Sequence, residues 1–283
     1  MDTPQPVSAL ILSHNSEQFL SGTVQKIQAQ TYPIQELWIL DDASSDQSFH
    51  IAIRLVKRVY QNPSQKGRGH MRSLSIEGST HPFILSCDAA VHPTQDCLEK
   101  GMAHFKDARV AAVFGRLEDR QTNPSYIHRW RKRYLLGQEK TYPYTDKASL
   151  QTGAVIFRKA AILEVGNFNK NYVQAEDKEL GERLLKASWK IVYDPNMLAE
   201  LQSQDSILSL LERYWRWNSP ADKPLSICSY FKQMVYSIKV MAWEDLKRKD
   251  YACMGLSLLC PHYQFLKSWI HYLKLNIRLK SFE

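Results

Sequence analysis

An α/β domain with a mostly parallel sheet, helices on both of its faces and a C-terminal helical appendage is the fold this sequence predicts. Three observations predict it. Short β-branched and apolar runs alternate with amphipathic helical stretches. Two of those runs, ELWILDD and PFILSCD, end on acids. After Pro220 the composition shifts to long aromatic and basic segments, which places a boundary near Ser219 and divides the chain into residues 1–219 and 220–283.

VSALILS, Val7 to Ser13, is the opening strand. A helix is expected from about Ser16, with Asn15 as its N-cap and Gln18 as the capping-box partner. ELWILDD is the second strand, followed by a helix through Phe49, Ile53, Val56 and Tyr60. NPSQKGRGHMRS, Asn62 to Ser73, is a glycine-bearing basic loop. PFILSCD, a helix through Leu98, Met102 and Phe105, and VAAVFG come next. Such unbroken apolar runs suit strands covered on both faces. From Glu118 to Leu150 the alternation stops, and basic residues mix with Trp130, Tyr134, Tyr142 and Tyr144. Two readings fit that stretch: an acceptor-binding insertion, or a solvated amphipathic helix with a loop. AVIFRK, a helix from about Asp177 and WKIVYD resume the pattern.

At 283 residues and 44% hydrophobic content the chain can bury a substantial core. A net charge of +8 calls for an anionic partner: a nucleotide diphosphate, nucleic acid or an acidic membrane surface. The basic residues divide between the 62–73 loop and the tail rather than forming one face, which argues against nucleic acid. The five cysteines are scattered without a C-x-x-C pair, so neither a disulfide framework nor a zinc site is indicated and a reducing, cytoplasmic setting is expected. MDTPQPVSALILSHN lacks the basic region of a signal peptide. The longest apolar candidate, ACMGLSLLC, is closed by Pro261, short of the roughly 20 residues a membrane span takes.

Chemistry in an open α/β sheet belongs at the carboxyl ends of the strands. Asp41, Asp42 and Asp88 stand there. A pair such as Asp41 and Asp42 can cap the next helix, bind a metal, or accept hydrogen bonds from a nucleotide's base and ribose. Lys66, Arg68 and Arg72 in the basic loop suit phosphate oxygens, although no G-K-[ST] follows a strand to make a P-loop. Glu176 and Asp177 stand at a helix start, where unpaired amides favour acids.

Taken in order, these pieces resemble family 2 of the inverting glycosyltransferases, with the A-type nucleotide-sugar-binding fold. The resemblance covers roughly Val7 to Trp217. It rests on the opening strand with HN, QTYPIQELWILDDASSD, an arginine-containing loop, CDAAVHPTQDCL, and TGAVIFRKAAILEVGNF followed by an acid pair and ERLLKASWKIVYDP. It implies that Asp41 or Asp42 holds the base and ribose of a nucleoside diphosphate sugar, UDP- or GDP-linked, with Asn15 beside them and Arg72 on the nucleotide side. It implies that Asp88 is the first acid of a D-x-D strand end and that Asp177 is the general base for the acceptor hydroxyl, next to Glu176. Gly153 would let backbone approach a sugar closely. Arg213, Arg216 and Trp217, in ERYWRWNSP, match a segment that closes over donor and acceptor.

Two departures concern a metal. Ala90 stands where the second D-x-D acid should be, and the late metal-binding histidine would fall near Leu201, where NMLAELQ has none. Manganese or magnesium needs oxygen or imidazole ligands, which a methyl group does not offer. Three outcomes fit: a transferase that uses cations instead of metal, a site rebuilt from Asp88 with Glu200 or His92, or a catalytically silent nucleotide- or glycan-binding module. The expected acceptor is a glycan or lipid-linked sugar. The tail, with Lys232, Lys239, Lys247, Lys267, Lys274, Arg278 and Lys280 among aromatic and aliphatic residues, reads as helices lying on an anionic inner membrane face, packed on the catalytic domain, or pairing in a dimer.

Overall fold

A computed structural model describes residues 4–120, 123–137, 142–172, 175–202, 205–219 and 224–280. The side chains of Lys274, Arg278 and Lys280 lie outside those described. The chain forms two compact units, one of Met1–Arg120 with Thr141–Ser203, the other of Gln121–Lys140 with Gln204–Glu283. The composition shift near Ser219 falls within the second.

In chain order the elements are β1 (Val7–Ser13), α1 (Leu20–Gln28), β2 (Glu36–Asp41), α2 (Ser48–Leu55), β3 (Arg58–Gln61), α3 (Arg68–Gly78), β4 (Phe83–Asp88), β5 (Val91–Pro93), α4 (Cys97–Met102) and β6 (Val110–Glu118). There follow α5 (Tyr126–Trp130), β7 (Ala154–Arg158), α6 (Lys159–Glu164), α7 (Glu176–Lys186) and β8 (Lys190–Leu201). Then come α8 (Ile207–Asn218), α9 (Ile227–Tyr236), α10 (Trp243–Lys247) and α11 (Tyr251–Lys280).

The first unit is built on one mixed sheet ordered β3-β2-β1-β4-β7-β6-β8-β5. β1 runs parallel to β2 and β4, β2 to β3, and β6 to β8, while β7 is antiparallel to both neighbours and β5 to β8. Alternate side chains of a strand point to opposite faces. Val7, Ala9 and Ile11 of β1 with Phe83, Leu85 and Cys87 of β4 therefore enter one core layer, and Leu10 and Ile84 enter the other. Both faces are covered, which is why these strands read as unbroken apolar runs.

Four local expectations are corrected. α1 begins at Leu20 after Phe19, and Asn15 is not its cap: it sits in the left-handed region with φ 49°. α2 stops at Leu55, and Tyr60 belongs to β3, whose backbone finds partners on β2 that a longer helix would forgo. The basic loop ends at Gly67, and Arg72 lies on helix α3. α11 continues through Pro261 instead of stopping there.

In the second unit, Trp130, Leu210, Leu211, Tyr214, Met241, Cys253, Leu256 and Cys260 form a separate core. A buried polar network reinforces it. Trp130 Nε1 donates to Ser257 Oγ, which donates to Asp245; Arg133 pairs with the same Asp245, and Arg131 pairs with Asp205. Within the insertion, α5 and the following π-helical turn Arg131–Leu135 are thus structural in this unit, whereas Tyr142 and Tyr144 belong to the first.

Candidate active site

Two clusters of expected residues stand at the carboxyl ends of the central strands. The first joins the turns after β1 and β2. Asn15 Oδ1 accepts the amide of Ser45 at 2.8 Å, and the Asn15 amide donates to Ser44 Oγ at 2.9 Å. Asn15 and Ala43, the latter with φ 56°, both hold left-handed backbone. This conformation is strained for a residue with a Cβ.

Asp41 and Asp42 are both buried. Asp41 accepts from the Ser44 amide at 2.9 Å and from Gln61 Nε2 at 3.1 Å. Asp42 accepts from the amides of Lys66 and Gly67, each at 2.8 Å, and from Asn62 Nδ2 at 2.7 Å. Asp42 therefore shapes the basic loop from beneath, leaving Lys66 and Arg68 exposed on either side of Gly67, whose φ is 89°. A β-carbon on Gly69 would lie 2.4 Å from the carbonyl oxygen of Asn169 and 2.5 Å from that of Tyr172, so only glycine admits this approach.

The second cluster centres on Arg72, whose side chain is 1% exposed. Its guanidinium donates to Asp88 Oδ1 at 2.9 Å, Ser86 Oγ at 3.1 Å and Glu176 Oε1 at 3.3 Å. The expectation of a loop arginine reaching the donor is thus replaced by a buried clamp between β4 and the start of α7. Burial works against the charge on Arg72, but Asp88, Glu176 and Asp177 around it hold its pKa above the ordinary value. Burial pushes the Glu176 carboxyl up, with Arg72 opposing. Asp88, with 28% of its side chain exposed, and half-buried Asp177 are the acids of this cluster that reach solvent. The backbone amide of Asp88 donates to the carbonyl of Gly153 at 2.9 Å, and a β-carbon on Gly153 would meet Leu117 at 2.9 Å. Gly153 is thereby accounted for by packing beside the strand end.

α7 starts after Ala175 in left-handed backbone, with φ 59° and no side-chain cap. Its first turn carries Glu176, Asp177 and Glu179, where the helix dipole favours negative charge. Asp41 pairs in register with Ser13, and Asp88 with Leu12, so the two clusters flank the end of β1.

The positions expected to hold metal are adjacent and do not fit one. The Gln202 amide donates to the Ala90 carbonyl at 2.8 Å, and Leu201 is paired with Val91. The sequence alignment of the two departures is therefore spatially consistent, yet Ala90, Leu201 and Gln202 offer neither carboxylate nor imidazole. The substitutes fare no better: Glu200 is paired with Arg120 at 3.4 Å, and His92 packs against Gly22, its pKa lowered by burial. Among the described residues no three His, Cys, Asp or Glu are grouped to hold a metal ion.

Arg213, Arg216 and Trp217 lie on α8 in the second unit. Arg213 pairs with Asp205 at 3.0 Å, and Trp217 is 47% exposed. Sequence reasoning missed the parts played by Ser86, Ser44, Asn62 and Gly69. The serines of DDASSD were the signal for Ser44 and the paired glycines of KGRGH for Gly69, while Asn62 and Ser86 carried none.

Residues 8–165, more than half of the chain, match the model of glycosyl transferase family 2. The chain belongs to that family. This family 2 glycosyltransferase is 28% identical over 142 residues to the pre-mycofactocin glycosyltransferase of Mycobacterium tuberculosis, covering 48% of this chain and 30% of that protein. It is 24% identical over 258 residues to a hyaluronan synthase of Streptococcus pyogenes, covering 82% of this chain and 59% of that one. The chain thus spans less than two thirds of either relative. Among solved structures, the mannosyltransferase PcManGT from Pyrobaculum calidifontis, in complex with GDP-Man and Mn2+, superposes with a TM-score of 0.63 at 12% identity, covering 94% of this chain and 86% of that one. S. aureus TarS 1–349 in complex with UDP gives 0.55 at 16% identity, over 98% and 92% of the two chains. At such identities the likeness is one of fold, the A-type glycosyltransferase fold.

Proposed function

We propose that this family 2 member is an inverting transferase moving a sugar from a UDP- or GDP-linked donor to a glycan or lipid-linked acceptor, in the cytoplasm at an anionic membrane face and without a bound metal. The observation that carries the reading is the Arg72 clamp, which joins the strand-end acid Asp88 to Glu176, the neighbour of Asp177, and so gathers donor-side and acceptor-side acids in one cluster.

In this mechanism the acceptor hydroxyl oxygen attacks the anomeric carbon from the face opposite the diphosphate. The new carbon–oxygen bond forms as the bond to phosphate breaks, the proton passes to the Asp177 carboxylate, and the nucleoside diphosphate leaves with the bonding pair. Asp88 hydrogen-bonds the donor, and Asp41, Asp42 and Asn15 shape its nucleotide site through the turns they tie. Lys66 and Arg68, in the place first expected of Arg72, meet the developing negative charge on the diphosphate. Hydrogen bonds to charged groups contribute about 1.5–3 kcal/mol each, enough for two cations to supply several kcal/mol.

A thermal-shift screen of UDP, GDP and their sugars, each with manganese or with EDTA, tests the donor class. Stabilisation by one nucleotide family in EDTA, with nucleotide released once acceptor is added, is the expected result. The loss of the usual metal ligands at Ala90 and Leu201 favours a second reading, a silent nucleotide- or glycan-binding module. Stabilisation by a donor that is never turned over with any acceptor would select it.

A further inference from the structure

Helix α9 buries none of its residues, although its sequence is apolar. Ile227, Phe231 and Val235 recur at helical spacing and are 66%, 52% and 48% exposed. Beyond the π-helical segment Ser237–Ala242, the exposed side continues with Ile238 at 49% and Trp243 at 54%. The other side of the same rod, through Ser237, Met241, Ala242 and Asp245, is buried in its own unit. The core requirement is thus already met by that opposite side, and the outward stripe is surplus to it.

Charge decides what covers this stripe. Lys232, Lys239 and Lys247 are exposed along it. The acids of residues 227–247 are Glu244, paired with Arg248, and Asp245, fully buried on Arg133. A second copy of the chain would bring like charges together, which disfavours self-association. An anionic leaflet offers the opposite charge to the lysine heads and an apolar boundary to the side chains between them. Trp243, with the Lys247 ammonium 5.8 Å from its ring centroid, has the apolar body and polar edge suited to the headgroup level.

We infer that the outward face of residues 227–247 is an interfacial membrane-binding surface that seats on anionic lipid, with Ile227, Phe231, Val235, Ile238 and Trp243 in the boundary and Lys232, Lys239 and Lys247 at the phosphates. This deepens the proposal of an acceptor met at a membrane and rests on it, but it stands on a surface separate from the Arg72 and Asp177 cluster.

The test is sedimentation of the full chain with vesicles of phosphatidylcholine alone or mixed with phosphatidylglycerol. Binding to the mixed vesicles, weakened by salt, is expected. Each lysine near such a surface strengthens binding about fivefold, so Lys232→Gln, Lys239→Gln and Lys247→Gln together should weaken it on the order of 100-fold. Phe231→Glu with Trp243→Glu should abolish it while leaving the melting temperature unchanged, because both side chains already face water. Full-chain protein that ignores the mixed vesicles, or variants that bind as well as the parent, overturns the inference. So does light scattering that shows a dimer dissolved by the Phe231→Glu and Trp243→Glu pair. Nucleotide release from donor in vesicle-free buffer, run on the same samples, separates the two claims. Release without vesicle binding defeats the surface alone; vesicle binding without release by any variant supports the surface and defeats the transferase reading.

Discussion

Arg72 is a cation almost wholly removed from water, held by two carboxylates and a hydroxyl. Removing one side of a buried ion pair leaves its partners charged and desolvated, at a cost of about 3–5 kcal/mol. Arg72→Met should therefore lower the unfolding free energy by that amount, read as a lower urea midpoint, and Arg72→Lys should recover only part of it, because a point charge cannot span Asp88 and Glu176 as the planar guanidinium does. A midpoint unchanged in Arg72→Met would show that the clamp contributes nothing. Asp88, Asp177 and the Asp41–Asp42 pair were legible as acids at the ends of predicted elements. The pairing of Asp88 and Glu176 with Arg72 was not: they lie 16 and 104 residues from it, beyond any local spacing rule. For the same reason NPSQKGRGHMRS read throughout as a basic loop when its second half, from Arg68, is the start of helix α3.

The loop 62–67 and helix α3 behave as one element, pinned below by Asp42 and beside by Gly69 against Asn169 and Tyr172. Gly69→Ala sets a methyl against two backbone oxygens, and overpacking of this kind costs about 1–3 kcal/mol. The expected outcome is a lower melting temperature together with weaker donor binding; an unchanged melting temperature would mean that the 169–172 segment yields freely. In the second unit, Arg129 donates to both oxygens of Asp250 at 2.8 Å, and this pairing, first among the causes, holds the Asp250 carboxyl well below the usual carboxylate range. A folded pKa depressed below the unfolded one gives stability that is present above the ordinary value of about 3.9 and is lost as pH falls through and below it. Asp250→Asn should flatten that acid limb in unfolding midpoints measured from neutral to acidic pH, and an identical pH profile in the variant would contradict the assignment. The strands were legible because both of their faces are buried. The short strands β3 and β5 were not, since four- and three-residue segments carry too little periodicity to separate from loops.

At the scale of the whole molecule, the sequence order of motifs carried the α/β fold, while the joining of 121–140 to the C-terminal helices depends on distant ion pairs such as Arg129–Asp250 and Arg131–Asp205. Ala90 and Leu201, far apart in the chain, come close where β5 meets β8, the Gln202 amide donating to the Ala90 carbonyl and Leu201 pairing with Val91, and neither side chain can ligate a metal. Transfer should therefore persist in excess chelator, and Ala90→Asp should raise manganese affinity in calorimetry without being needed for turnover. Activity abolished by chelator and restored by stoichiometric metal would contradict this. The central claim is that the chain transfers a glycosyl group with Asp177 as base, and the most direct measurement is the acceptor-dependent rate of nucleoside diphosphate release by Asp177→Asn beside the parent chain, with donor affinity measured on both. The account predicts donor affinity within error and a rate lower by about 10²- to 10⁴-fold, the usual contribution of a general base. A variant that releases nucleotide at the parent rate would contradict it.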